Sequence, residues 1–115
     1  MSTDCLFCRI VAGEIPATKV FEDDRMIAIQ DLNPQAPLHV LIMPRVHIAT
    51  ANDLTPNHDE LVGAMTRRAA AIAKDRGYDA SGFRVVFNCN RDGGQSVFHI
   101  HMHLLAGRPM AWPPG

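Results

Sequence analysis

Apolar residues along this chain fall into short β-rich runs and one longer helical repeat. The short runs predict five strands, over residues 19–21, 26–30, 39–43, 83–89 and 97–105. Three- and four-residue spacing predicts one long helix, from the apolar positions Leu61, Met65, Ala69, Ile72 and Ala73. Thr55 and Pro56 suit the start of that helix and Gly77 its end, while Asp4 suits the cap of a shorter helix over residues 5–12. Strands and helices do not alternate regularly, so we expect an α+β fold with a mostly antiparallel sheet.

Composition limits the class of protein. With 115 residues, 47% of them hydrophobic and 20% charged, the chain is expected to form a single globular domain over 1–115. A net charge of −1 gives no basic excess, which argues against a nucleic-acid partner. No apolar run approaches the ~20 residues of a membrane span, and the first residues do not resemble a signal peptide. We therefore expect a cytoplasmic protein, and a dimer would supplement the limited core of so short a chain.

The densest chemical signal is the histidine alternation at residues 99–104, His-Ile-His-Met-His-Leu. On a strand, successive side chains point to opposite faces, so His99, His101 and His103 would share one face at intervals of ~6.6 Å. Three imidazoles on one face can bind a transition metal or act on a phosphate as nucleophile and proton donors.

The loop before these histidines favours phosphate chemistry. Gly93 and Gly94 would let backbone N–H groups approach an anion, and Ser96 adds a hydroxyl donor. The loop therefore decides between the two kinds of chemistry in favour of the phosphate, although a Gly-Gly pair by itself more often marks an ordinary hairpin turn.

The alternation over residues 99–105 resembles the histidine triad motif. Further stretches are similar to the Hint branch of that superfamily, the nucleoside phosphoramidate hydrolases: Ile-Pro at 15–16, Glu-Asp-Asp at 22–24, Asp-Leu-Asn-Pro-Gln-Ala-Pro at 31–37, Gly-Gly-Gln-Ser at 93–96 and Trp-Pro-Pro-Gly at 112–115. The resemblance implies a five-stranded sheet with one long and one short helix, and a homodimer whose two sheets join into one. It also implies hydrolysis of purine nucleoside 5′-phosphoramidates, such as AMP linked to an amine, through a covalent nucleotidyl-histidine.

The resemblance assigns roles to individual residues. His101 would be the nucleophile, His103 would contact the phosphate, and His39 would be the fourth histidine of the cluster. His99 and Ser96 would complete the catalytic set. The implied nucleotide-binding residues are Asp31 for the ribose, Phe7, Ile10 and Leu32 around the base, Asn88, Gly94, Gln95, Ser96 and His103 around the phosphate and leaving group, and Trp112 reaching the neighbouring subunit's site.

The pair Cys5 and Cys8 adds a possible metal site. In relatives with this C-x-x-C, the resemblance implies a zinc ion held with two histidines, here His47 and His99. Such a Cys₂His₂ set would be structural and would need no open coordination position, so catalysis would not require the metal. Two thiols without a metal remain the alternative, since C-x-x-C is common.

Two other functions stay open. The first is a dinucleoside polyphosphate hydrolase of the same superfamily, against which the Trp-Pro-Pro-Gly tail argues. The second is a nucleotide-binding or zinc-stabilised interaction protein whose hydrolysis is incidental. Intact His39, His99, His101 and His103 disfavour a dead enzyme but do not show that catalysis is its purpose.

Overall fold

A computed structural model describes residues 4–115, so the first three residues of the chain, which entered the signal-peptide argument, lie outside the described part. Five antiparallel strands form one sheet in the order β1-β2-β3-β5-β4. Their bounds are β1 Lys19–Glu22, β2 Met26–Gln30, β3 Leu38–Pro44, β4 Phe83–Phe87 and β5 Met102–Ala106. The helices are α1 Leu6–Val11, α2 Asp59–Asp75 and the single turn α3 Asn90–Gly93. The expected α+β fold with an antiparallel sheet is confirmed.

Strand β3 lies at the centre of the molecule and is buried along its whole length. Val40 and Ile42 face α2 within one core cluster, whereas Leu41 and Met43 join Phe7 of α1 in a second cluster on the other face. A strand covered on both faces has no polar side to present, which explains the unbroken apolar run in the sequence. The sheet therefore separates an α2 layer from an α1 layer.

The last two strands are shorter than predicted. Strand β4 ends at Phe87 rather than at residue 89, and β5 begins at Met102 rather than at residue 97. Pairing of β5 with both neighbours stops at Met102, opposite Ile42 of β3 and Phe87 of β4, although β3 itself continues to Pro44 alongside β2. The backbone over 97–101 makes other bonds instead: the Ile100 N–H donates to the Ile48 carbonyl over 2.7 Å.

The helix ends differ from the predictions in two places. The N-cap of α1 is Cys5 and not Asp4, because the Cys5 Sγ accepts the Cys8 N–H at 3.4 Å. Thr55 and Pro56 begin a 3-10 turn over Pro56–His58 that leads into α2. The loop predicted over residues 90–95 contains the helical turn α3. Among residues 4–115, no helix combines the length and apolar content needed to cross a bilayer.

Gly107, just after β5, lies where the chain passes close to Pro37. Its φ is +97°, and a Cβ at this position would lie 2.8 Å from the Pro37 Cβ. We expect Gly107→Ala to lower the free energy of unfolding by about 1–3 kcal/mol, because both the backbone angle and the contact oppose a side chain. Urea denaturation followed by circular dichroism measures the change.

The matched control is Gly63→Ala in α2, where nothing lies within 4 Å of the added carbon. This change should raise the free energy of unfolding by about 0.5–1 kcal/mol, since alanine favours a helix interior. Equal stability of the two variants would contradict the account given for Gly107.

Candidate active site and metal centre

A cleft of about 210 Å³ opens on the α1 side of the sheet. It gathers residues from α1, from the end of β2 and from the segment leading into β5. Seven residues predicted to act in catalysis or nucleotide binding line it: Phe7, Ile10, Asp31, Leu32, Ser96, His101 and His103. The cleft thus joins an apolar wall to a group of imidazoles.

His101 is buried at the inner end of the cleft, with 7% of its surface exposed. Its Nδ1 lies 2.9 Å from the His99 carbonyl oxygen. Since a carbonyl only accepts, Nδ1 carries the hydrogen, and Nε2 of the neutral ring keeps its lone pair. Burial lowers the pKa of His101, which favours this neutral form. The ring is therefore oriented and protonated as a nucleophile needs.

His39 and His103 form a second pair in the same site. The His39 Nδ1 accepts the backbone N–H of Gln35 at 3.0 Å, so its hydrogen lies on Nε2. That Nε2 is 2.9 Å from His103 Nδ1 and 3.4 Å from Asp31 Oδ2. His39 thus donates to His103, whose own hydrogen is left on Nε2. The tautomers of both imidazoles are therefore fixed, and the N–H of His103 points away from His39.

Burial and the neighbouring imidazoles set the charge of this pair. The pKa of His103 is lowered to about 4, chiefly by burial and then by His101 and His39. Burial also lowers the pKa of His39, although the Asp31 carboxylate opposes the shift. The imidazoles are accordingly neutral near pH 7, so each offers one N–H donor and one acceptor nitrogen.

The outer part of the cleft combines a carboxylate with apolar side chains. Asp31 follows β2, and its Oδ1 accepts the Asn33 N–H at 2.7 Å. Phe7 and Ile10 are buried in the wall, whereas Leu32 is 99% exposed at the rim. An apolar side chain left in solvent beside an apolar wall can cover a flat ligand.

The loop before the histidines differs from its sequence interpretation. Gly94 does adopt a left-handed conformation, with φ of +81°. Its N–H donates to the Arg91 carbonyl, and the Gln95 N–H donates to the Asn90 carbonyl, each over 3.0 Å. These two amides close the turn and are not free for an anion in this conformation. Ser96 is exposed and does line the cleft.

Several predicted binding residues lie outside the cleft. The Gln95 side chain is buried and donates to the carbonyls of Ala49 and Val97, at 2.7 and 3.1 Å, so it holds the loop in place. Asn88 and Gly94 do not line the cleft either. Trp112 is 84% exposed on the tail.

The four predicted metal ligands meet beside the cleft. The Nδ1 atoms of His47 and His99 lie 3.3 Å apart, and His99 Nδ1 is 3.5 Å from the Sγ atoms of Cys5 and Cys8. Tetrahedral zinc with Zn–N of ~2.05 Å and Zn–S of ~2.3 Å requires separations of about 3.3 Å and about 3.5 Å. The four ligand atoms therefore fit a tetrahedral zinc ion.

The orientation of His99 supports the same fit. Its Nε2 donates to the Pro44 carbonyl over 2.7 Å, so the lone pair of Nδ1 faces the two thiols. In metal sites, a backbone carbonyl commonly accepts the other ring N–H of a metal-binding histidine and so fixes its tautomer. Burial also lowers the pKa of His99, which keeps the ring neutral and able to bind a metal.

Sequence reasoning missed the backbone groups that orient the histidines. The Gln35 N–H sets the tautomer of His39, and the Pro44 carbonyl sets that of His99. No motif could have shown these contacts, because every residue carries a backbone carbonyl and nearly every one an N–H. They become visible only when the fold brings distant segments together.

Comparison with known proteins finds relatives that match nearly the whole chain. A family model described as "Scavenger mRNA decapping enzyme C-term binding" matches residues 4–111. The purine nucleoside phosphoramidase of Escherichia coli strain K12 is 46% identical over 110 residues, covering 96% of this chain and 92% of that protein. The 14 kDa zinc-binding protein of Brassica juncea is 42% identical over 114 residues, covering 97% of this chain and 100% of that protein.

Among solved structures, a HIT family hydrolase from Legionella pneumophila superposes with a TM-score of 0.96. It is 54% identical, and the match covers 97% of this chain and 100% of that one. The histidine cluster, the sheet and these relatives lead to one conclusion: the chain belongs to the histidine triad family.

Proposed function

We propose that this protein hydrolyses purine nucleoside 5′-phosphoramidates through a nucleotidyl intermediate on His101. The hydrogen bond from His101 Nδ1 to the His99 carbonyl carries the proposal, because it leaves Nε2 as the free nucleophilic atom. The purine nucleoside phosphoramidase of Escherichia coli, 46% identical to this chain, supports the choice of substrate.

The reaction has two steps. In the first, His101 Nε2 attacks the α-phosphorus, a bond from nitrogen to phosphorus forms, and the bond to the leaving amine breaks. The departing nitrogen takes up a proton from solvent, so the amine leaves neutral. In the second, water attacks the same phosphorus and gives up a proton to solvent, the bond from phosphorus to His101 breaks, and the nucleoside monophosphate and neutral His101 are released.

The other histidines contact the phosphate or orient that contact. His103 Nε2–H donates to a phosphoryl oxygen, and its Nδ1 receives the hydrogen of His39 at 2.9 Å. Asp31 Oδ2, at 3.4 Å from His39 Nε2, favours the hydrogen on that nitrogen and so the donation to His103. Ser96 adds a hydroxyl donor at the edge of the cleft near the phosphate.

The outer cleft holds the nucleoside. Asp31 offers carboxylate oxygens to the two ribose hydroxyls. The purine ring lies against Phe7 and Ile10, with Leu32 closing over it. These walls are apolar and do not distinguish adenine from guanine.

We also propose that Cys5, Cys8, His47 and His99 hold a zinc ion. The donor set and its separations support this, as does the 14 kDa zinc-binding protein of Brassica juncea, 42% identical to this chain. Bound zinc would serve as a structural cross-link between α1 and the segments after β3 and before β5.

We further propose a homodimer in which two β4 strands pair. Strand β4 is an edge of the sheet, and Phe83 and Val85 on it are 40% and 37% exposed. An exposed apolar edge favours pairing with another strand. Arg84 donates to the Ala111 carbonyl at 3.0 Å, which holds the tail with exposed Trp112 beside this edge, within reach of a partner.

His101→Ala tests the proposed chemistry. We expect turnover of adenosine 5′-phosphoramidate to fall at least about 1,000-fold, because no other group replaces the nucleophile. Intact-mass measurement of quenched reactions should show a nucleotidylated wild type and no adduct on the variant. His58→Asn, outside the cleft, should keep full activity.

Two outcomes would contradict the proposed chemistry. One is substantial turnover by a folded His101→Ala protein. The other is a folded wild type that turns over neither adenosine nor guanosine phosphoramidates, which would leave nucleotide binding as the function.

Asp31→Asn tests the ribose contact. The wild type should prefer a ribonucleoside substrate to its 2′,3′-dideoxy analogue by roughly 10- to 100-fold in kcat/KM, since hydrogen bonds to a carboxylate are strong. Asparagine keeps the oxygen that accepts the Asn33 N–H, so the turn should persist. The variant should lose most of this preference.

Comparing the two substrates on each protein cancels any effect of Asp31 on the histidines. An unchanged preference in Asp31→Asn would refute the ribose contact.

Val85→Lys tests the β4 interface. A lysine on each paired edge would bring like charges together, so the variant should sediment as a monomer where the wild type is a dimer. Val46→Lys, another exposed valine outside β4, is the matched control and should leave the assembly intact. A dimeric Val85→Lys protein in analytical ultracentrifugation would place the interface elsewhere.

A further inference from the structure

We infer that the metal-binding cluster positions the nucleophile, with His99 as the positioning residue. His99 joins the cluster through its imidazole and holds His101 through its backbone carbonyl. The inference rests on the proposed function, in which His101 is the nucleophile. It adds that the metal centre affects the chemical step as well as stability.

The imidazole of His99 has no freedom to turn. Its Nε2–H is bonded to Pro44, and its Nδ1 lies among the ligand atoms of Cys5, Cys8 and His47. None of its surface is exposed. A metal bound to these four residues would therefore fix the backbone of His99 along with its ring.

Residues 97–101, which include the proposed nucleophile, make few backbone hydrogen bonds to the rest of the protein. Strand pairing with β3 and β4 begins only at Met102, so residues 97–101 lack the hydrogen-bond ladder of the sheet. The Ile100 N–H is tied to the Ile48 carbonyl, and Val97 is held by Gln95. Ile100 is also buried and Val97 packs on the α1-side core, but His99 is the side chain of this segment that reaches the cluster of Cys5, Cys8 and His47.

A second contact on His101 leads to the same cluster. Phe7 lies in α1 between the two cysteines, and its ring meets His101 edge-on with centroids 4.9 Å apart. The same ring also contacts His99 at 6.0 Å. A metal that holds both cysteines would therefore fix the position of Phe7, and Phe7 would in turn restrict the ring of His101.

Removal of the metal should then change orientation at His101 more than nucleotide affinity. Asp31 and His39 belong to or adjoin paired strands, so ribose and phosphate contacts persist. The hydrogen bond that orients His101 becomes intermittent. We expect the single-turnover rate of nucleotidylation to fall roughly three- to tenfold, with a smaller change in AMP affinity.

Cys5→Ser distinguishes loss of the metal from loss of α1, because Cys5 is both a candidate metal ligand and the N-cap of that helix. Serine is a good N-cap, so α1 keeps its cap while the cluster loses one thiolate. Cys89→Ser is the matched control, because Cys89 is the third cysteine and lies outside the cluster. Zinc content of each protein is measured first.

Two readouts then follow on the zinc-loaded wild type and both variants. The first is the proton resonance of His101 Nδ1–H in ¹⁵N-histidine-labelled protein, and the second is single-turnover kinetics with adenosine 5′-phosphoramidate. In Cys5→Ser, zinc should be lost, the resonance should broaden by solvent exchange and the rate should fall. Cys89→Ser should match the wild type in all three.

A folded, zinc-free Cys5→Ser protein with unchanged resonance and rate would overturn the inference and leave the metal purely structural. A wild type that takes up no zinc would overturn it as well. If the resonance depends on zinc but the wild type has no turnover, the proposed function fails and the positioning by His99 stands.

Should Cys5→Ser not fold, zinc- and cadmium-loaded wild type are compared with the same two readouts. Cadmium is the larger ion, so the cluster must expand and displace His99. A shifted resonance with a changed rate would support the inference, and identical values would overturn it.

Discussion

The hydrogen bond from His101 Nδ1 to the His99 carbonyl determines what the site can do. It selects one tautomer, so that Nε2 of His101 is the atom with a free lone pair. Every other feature of the cleft depends on that choice. With the opposite tautomer, His101 would present a donor to the cleft, and the proposed reaction would have no nucleophile.

Much of the fold could be predicted from local patterns, because the spacing of apolar residues along the sequence differs between strands and helices. The central run before Pro44 and the repeat around Met65 were identified for this reason. The start of β5 could not be predicted in the same way. Residues 97–101 have a strand-like alternation, but the pairing of β5 with β3 ends at Ile42 and Met102, and only the tertiary structure reveals where that ladder stops.

The candidate site was predictable where side chains carry the chemistry and less so where the backbone does. His39, His101 and His103 converge as expected, and so do the four metal ligands. The loop with Gly94 was predicted to offer free N–H groups, yet it uses that N–H to close a helical turn. Composition marks a loop as flexible, but the sequence does not state which carbonyl an amide will meet.

Strand β3 has a further consequence, because its two ends serve two different sites. His39 near its start donates to His103 in the cleft, and the carbonyl of Pro44 at its end orients His99. Roughly 17 Å of paired strand separates them, at ~3.3 Å per residue. A slip of one residue in pairing would turn His39 toward α2 and displace Pro44 together. A misregistered chain would therefore be inert rather than partly active, so activity itself reports on correct folding.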